Sequence, residues 1–209
     1  MANPWKDISL SDYENHMKLN EVKQLQSLNN TTKNQLNEYP VNTVMIMGIA
    51  GGNGLEHICQ DKYNKVYGID INEKYLETTS KRFKNISNIL ECLNIDIINE
   101  AEKLPKAELV IANLLIEYVG YKAFTAALKK VSPRYVSCVI QVNENNIEWV
   151  SSSPYIHAFD NLDNIHFYID EKSLTDTMCQ AGYKFIKKEI DILPNRKSLV
   201  RLDYENSKE

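Results

Sequence analysis

The chain has 209 residues, of which 43% are hydrophobic and 25% charged, with a formal net charge of −4. Those proportions suit one packed globular domain with added segments and leave two full domains cramped. No dense Lys/Arg block marks a nucleic-acid site, no apolar run is long enough to span a bilayer, and the four cysteines are scattered without a CxxC pair or a zinc-ligand cluster.

Met1-Ala2-Asn3-Pro4-Trp5-Lys6-Asp7 lacks a basic stretch followed by an apolar one, so no signal peptide is expected. Reduced, buried thiols then suit a cytoplasmic protein. Residues 12–36 read as helix, with a break near Asn20. Ser11 and Glu14 have the spacing of a capping box, and Pro40 ends the segment. Residues 1–40 are expected to form a helical lid segment on a domain spanning 41–209.

From Val41 the rhythm changes. Val44-Met45-Ile46-Met47 is a short apolar strand, followed by a Gly-rich run over 48–54 and an expected helix over 55–60. Strands are expected at 65–70, 89–95, 109–112 and 135–142, with helices at 72–83, capped by Asn72, and at 120–130. Apolar strands that do not alternate, separated by helical stretches, indicate a parallel sheet covered on both faces. Asp170 caps a further helix that Gly182 ends. The strand-like runs 183–193 and 198–204 are separated by only Pro194-Asn195-Arg196-Lys197. Four residues cannot form a parallel crossover, so these runs must make an antiparallel hairpin. The expected fold is therefore α/β: a doubly wound, mostly parallel, Rossmann-like sheet with a C-terminal antiparallel hairpin and helices on both faces.

Gly48-Ile49-Ala50-Gly51-Gly52-Asn53-Gly54 holds four of the seven glycines. Glycine costs backbone entropy, so such a cluster needs a steric reason, here a tight strand-to-helix turn whose backbone a ligand approaches. Gly48, Ala50 and Gly52 stand at the positions of a GxGxG loop. The dinucleotide fingerprint GxGxxG does not fit, which argues against a nicotinamide dehydrogenase, and the absence of lysine argues against a Walker A loop. Asp70 ends the second strand about twenty residues later, where an acid can accept from both ribose hydroxyls. On its own it also reads as a charge at a helix N-terminus. Asp96, just past the third strand, can accept from an adenine amino group between Ile71 and Ile97, or can serve as a solvated turn residue.

Loop, acid and acid in this order resemble the class I S-adenosylmethionine-dependent methyltransferases over residues 41–204. The resemblance implies a seven-stranded sheet whose seventh strand is antiparallel. It implies S-adenosylmethionine as cofactor and S-adenosylhomocysteine as product. It also places Gly48, Ala50 and Gly52 along the methionine part, Asp70 at the ribose, Ile71, Asp96 and Ile97 at the adenine, and Asn113 beside the cofactor. One departure matters. Many members carry an acid two residues before the first glycine, where this chain has Ile46, so the methionine ammonium would be held by carbonyls or other side chains.

Ligands of open α/β sheets bind beyond the carboxyl ends of the strands, which brings Asn113 to Tyr118 and Gln141-Val142-Asn143 near the reaction. Glu117 and Tyr118 are candidates to orient or deprotonate an acceptor, with helix-surface and packing roles as the alternative. The (Asp/Asn/Ser)-Pro-Pro-(Tyr/Phe) motif of amino-methylating DNA and protein enzymes is absent, because Leu114-Leu115 follow Asn113. Tyr13, His16 and Met17 on the N-terminal helix, and residues 144–170 with Trp149, Tyr155, His157, His166 and Tyr168, could close over an acceptor pocket. A small-molecule acceptor is the leading expectation. A methyltransferase acting on protein or RNA and a non-catalytic S-adenosylmethionine-binding protein are the alternatives. No metal, membrane or nucleic-acid partner is expected, and no motif specifies the acceptor or the oligomeric state.

Overall fold

The structure, a computed structural model, describes residues 3–143 and 148–207. Residues 144–147 of the second expected lid segment lie outside that set. The strands are β1 (Thr43–Met47), β2 (Lys65–Asp70), β3 (Leu90–Asn94), β4 (Leu109–Asn113), β5 (Tyr135–Val142), β6 (Tyr183–Ile192) and β7 (Ser198–Asn206). They form one seven-stranded sheet in the order β3-β2-β1-β4-β5-β7-β6. β1 to β5 pair in parallel, and β7 runs antiparallel to both β5 and β6. The order reverses at β1, where its neighbours β2 and β4 lead to opposite sides, and a crevice opens at such a switch point.

The helices are α1 (Leu10–Met17), α2 (Gln24–Glu38), α3 (Glu73–Arg82), α4 (Ile116–Val131) and α5 (Glu171–Gln180). Alternation along β1 divides the core. Met45 and Met47 join the cluster that holds Phe124 and Leu128 of α4 and Leu174 and Met178 of α5. Val44 and Ile46 join Leu36 of α2 and Leu76 of α3 on the other face. Both faces are thus covered, as parallel strands require. Among the described residues no helix is long and apolar enough to cross a membrane, and no group of three or more His, Cys, Asp or Glu side chains could hold a metal.

Three local expectations fail for identifiable reasons. The helix expected at 55–60 is a single tight turn, Leu55–His57. α2 fills the place such a helix would take, with Leu36 beside Leu55 and Ile58 in one cluster. α2 also crowds the turn, since a Cβ on Gly54 would stand 2.6 Å from Thr32. The expected break near Asn20 is real, but the cap of α1 is Ser9, not Ser11. Ser11 shares a 2.7 Å hydrogen bond with the Ser9 hydroxyl. Glu14 instead takes both guanidinium nitrogens of Arg82, a stronger charged partner than a backbone amide. The helix expected from Gly120 begins at Ile116, and Gly120 (φ 72°, ψ 166°) kinks it after its first turn. Asn72 and Asp170 cap α3 and α5 with side-chain acceptors as expected.

Candidate active site

The turn after β1 is built on Asp70. Its Oδ2 accepts the Ala50 N–H at 2.9 Å and its Oδ1 accepts the Asn72 N–H at 2.9 Å. These bonds bind the Gly-rich loop to the end of β2. Gly48 (φ +72°) and Ala50 (φ 47°) both adopt left-handed backbone, natural for the first and strained for the second. The bond to Asp70, together with the Thr79 hydroxyl donating to the Ala50 carbonyl at 2.7 Å, holds that strained residue in place. Burial pushes the Asp70 carboxyl up to about 6, against the lowering effect of the amides it accepts from.

A crevice runs along this turn at the carboxyl ends of β1, β2 and β4. Gly48, Ala50, Asp70, Ile71, Asp96, Ile97 and Asn113 all line it. Gly52 does not line it. Gly52 (φ +82°) packs behind the loop, where a Cβ would stand 2.6 Å from Phe83 and 3.0 Å from Leu55 and Thr79. Asp96 reaches the crevice while organising its own turn, since Oδ1 accepts the Ile98 N–H at 2.9 Å and Oδ2 the Asn99 amide at 2.7 Å. The Asn113 side chain is committed to α2, because it exchanges two 2.9 Å hydrogen bonds with Gln35. What Asn113 has left to offer the crevice is backbone.

Ile46 is buried in the apolar cluster beside α2. An acid approaches the loop from another element. Glu14 of α1 pairs with Arg82, whose Nη1 donates to the Gly51 carbonyl at 3.1 Å. No local pattern marks this pair, because its partners lie 68 residues apart.

The N-terminal segment closes one side of the crevice. The Asn72 side chain donates to the Trp5 carbonyl at 2.8 Å, which ties that segment to the end of β2. Trp5 meets Tyr13 and Tyr118 edge to face, with centroids 5.9 and 4.9 Å apart. Tyr75, which sequence reasoning passed over, also lines the crevice. It occupies the first turn of α3, and its buried hydroxyl finds no hydrogen-bond partner among the described residues.

Trp5, Tyr13, Leu114 and Tyr118 also line a second pocket, which holds His16, Glu117, Gln141, Trp149 and His166. All four acceptor-side candidates, Tyr13, His16, Glu117 and Tyr118, therefore meet here. Glu117 is buried. Oε1 accepts the Gln141 N–H at 2.8 Å, while Oε2 has no hydrogen-bond partner among the described residues. Burial pushes its carboxyl up to about 7. His16 shares a 2.8 Å hydrogen bond with Ser153, and burial, helped by the Lys197 charge, pulls its imidazole down to about 4. It is neutral at pH 7 and donates no charge to the pocket. His57 sits apart, bonded to Asn29 at 2.9 Å. Tyr168 and His157 are exposed, and neither lines either pocket.

No protein-family model matches this sequence, and no curated protein matches it. Solved structures do share its fold. Magnesium protoporphyrin IX methyltransferase from Synechocystis PCC 6803 with bound S-adenosylhomocysteine is 12% identical over 97% of this chain and 96% of its own, with a TM-score of 0.65. The N-methyltransferase NodS from Bradyrhizobium japonicum WM9 is 11% identical over 90% of this chain and 99% of its own, at 0.62. The cyclase SpnF is 8% identical over 86% of this chain and 80% of its own, at 0.64. The chain has the class I methyltransferase fold, a fold that also carries other chemistry.

Proposed function

We propose that this chain is an S-adenosylmethionine-dependent methyltransferase acting on a small-molecule acceptor in the cytoplasm. The observation that carries the reading is convergence. The left-handed turn, the buried Asp70 and the Asp96 turn line one crevice, and the second pocket that shares its wall holds a buried carboxylate with one oxygen unpartnered among the described residues. The turn fits the cofactor, since Gly48 adds no side chain to the crevice and Asp70 is a buried acceptor at the end of β2. The fold neighbour solved with S-adenosylhomocysteine supports the same reading.

In this reading the backbone of Gly48 and Ala50 lies along the methionine part and Gly52 shapes the turn from behind. Asp70 accepts from the ribose hydroxyls. Ile71 and Ile97 flank the adenine, Asp96 accepts from its amino group, and Asn113 contributes backbone. The cofactor supplies a methyl group on a sulfonium, open to in-line attack. The protein's own task is positioning, which can account for much of such a reaction's acceleration. Trp5, Tyr13 and Tyr118 line both pockets and exclude water, while residues 1–40 and 143–170 act as lid and acceptor-site insertion on the 41–209 domain. The aromatic lining shared by the two pockets favours a small acceptor over a protein or RNA segment.

Calorimetry with S-adenosylmethionine and S-adenosylhomocysteine tests the reading, with binding in the micromolar range expected. Absence of binding by both rejects it. Binding without methyl transfer to any member of a labelled-methyl acceptor screen points instead to a non-catalytic cofactor-binding protein.

A further inference from the structure

The environment of Glu117 specifies more than an acceptor pocket. Glu117 is 5% exposed, and no ion pair among the described residues involves it. Oε1 is held by the Gln141 amide, which leaves Oε2 as an acceptor without a donor. The same pocket is lined by a cluster of rings. Trp149 and His166 stack at 4.2 Å, and Tyr118 meets both edge-on at 6.2 and 5.9 Å. The Trp149 indole N–H is held by Asp163 at 2.7 Å, which fixes the ring. No basic side chain among the described residues pairs with Glu117: His16 is neutral, and the Lys197 ammonium, which donates to the Trp149 carbonyl at 2.6 Å, forms no ion pair with it.

A buried acid without a cation, beside fixed aromatic faces, matches a positively charged ligand. The ring faces attract a cation and gain little from a neutral hydroxyl. They would leave an acceptor carboxylate facing a second carboxylate, a like-charge contact in an apolar setting.

We propose that the second pocket takes a small amine, bound as its ammonium between Glu117 and the Trp149, Tyr118 and His166 rings, and that the chain methylates it on nitrogen. The proposal deepens the methyltransferase reading and rests on it. The ammonium passes one proton to Glu117 Oε2, and the freed nitrogen lone pair forms the new N–C bond as the S–C bond breaks with its electron pair left on sulfur. The product leaves as the methylated ammonium. A carboxyl titrating near neutrality suits a base that must both accept and release this proton.

The test is calorimetry on the protein saturated with S-adenosylhomocysteine, titrated with ethylammonium, benzylammonium, benzyl alcohol and benzoate. At least one ammonium is expected to bind ten or more times more tightly than benzyl alcohol or benzoate. Glu117→Gln is expected to weaken that binding tenfold or more while S-adenosylhomocysteine affinity stays within threefold of wild type. Trp149→Leu, which leaves the carboxylate in place, is expected to weaken the ammonium more than benzyl alcohol. Binding of neither ammonium, an equal or reversed preference, or an unchanged affinity in Glu117→Gln overturns the amine assignment. Failure of the wild type to bind S-adenosylhomocysteine at all would instead reject the underlying methyltransferase reading.

Discussion

The backbone N–H of Ala50 lies 2.9 Å from Oδ2 of Asp70, so the Gly-rich turn and the end of β2 are one unit rather than two neighbours. The same carboxylate that would grip a ribose also holds a left-handed, non-glycine residue in place. Asp70 therefore shapes the crevice and lines it at once.

Replacing Asp70 separates these duties from bulk. Asp70→Asn keeps the size, but its amide presents one oxygen where two amide donors, Ala50 and Asn72, now bond. Hydrogen bonds to a charged group are worth about 1.5–3 kcal/mol each, so S-adenosylhomocysteine affinity should fall about tenfold to a hundredfold. Glu117→Gln, in the other pocket, should change it little. Calorimetry on both variants makes the comparison, and equal affinities for wild type and Asp70→Asn would remove the ribose assignment.

Binding of S-adenosylhomocysteine should also depend on pH through Asp70. In the free protein burial sets its carboxyl at about 6. Hydroxyl donors favour the charged form, so the value must fall when the ligand binds. Affinity is then full above pH 7 and declines as pH drops through 6, approaching tenfold per unit until the bound-state value is reached. Calorimetry from pH 5 to 8 measures the slope, which Asp70→Asn should flatten.

Glu117 makes the opposite kind of prediction, one about stability. An acid raised to about 7 in the folded chain holds its proton more tightly there than when unfolded, so folding costs more once the carboxyl must be charged. Its contribution is neutral below about pH 4 and increasingly unfavourable as pH rises to 7, reaching at most about 3 kcal/mol. Glu117→Gln keeps the bond to Gln141 and removes the charge. Thermal unfolding should show the variant more stable than wild type at pH 8 and nearly indistinguishable at pH 4.5. A loss of stability at pH 8 would show that the carboxylate has a compensating partner.

Most of the sheet was legible because its strands are short apolar runs bounded by turn chemistry. β2 and β5 fall at the expected residues, and the four-residue connection dictated the hairpin. The helix expected after the Gly-rich loop failed because local periodicity cannot show that α2, more than fifteen residues upstream, already fills that face. The crevice was legible in Gly48, Ala50, Asp70 and Asp96, whose spacing follows from strand ends meeting at a switch point. Trp5 and Tyr75 were not legible, since their approach depends on how the N-terminal segment crosses β2 and on which side of α3 turns inward. Glu117 was visible only as a candidate. Its meaning lies in the Gln141 amide and the Trp149 ring, which come from distant segments.

Tyr75 tests whether such a residue serves the ligand. Its hydroxyl is buried in the first turn of α3, lines the crevice and has no hydrogen-bond partner among the described residues. Burial raises its pKa, so it remains a neutral donor across the accessible pH range. A buried unsatisfied polar atom costs about 1–3 kcal/mol, and Tyr75→Phe removes it without leaving a cavity. The ligand-free variant should therefore melt roughly 2–4 °C higher for each kcal/mol gained. If the hydroxyl donates to bound S-adenosylhomocysteine, the same change must weaken binding, and the ligand-induced rise in melting temperature will be smaller than in wild type. The two effects have opposite signs and one cause. An unchanged ligand-induced shift would place the Tyr75 hydroxyl outside the binding contacts, and a lower melting temperature for the ligand-free variant would show that the hydroxyl is satisfied in solution.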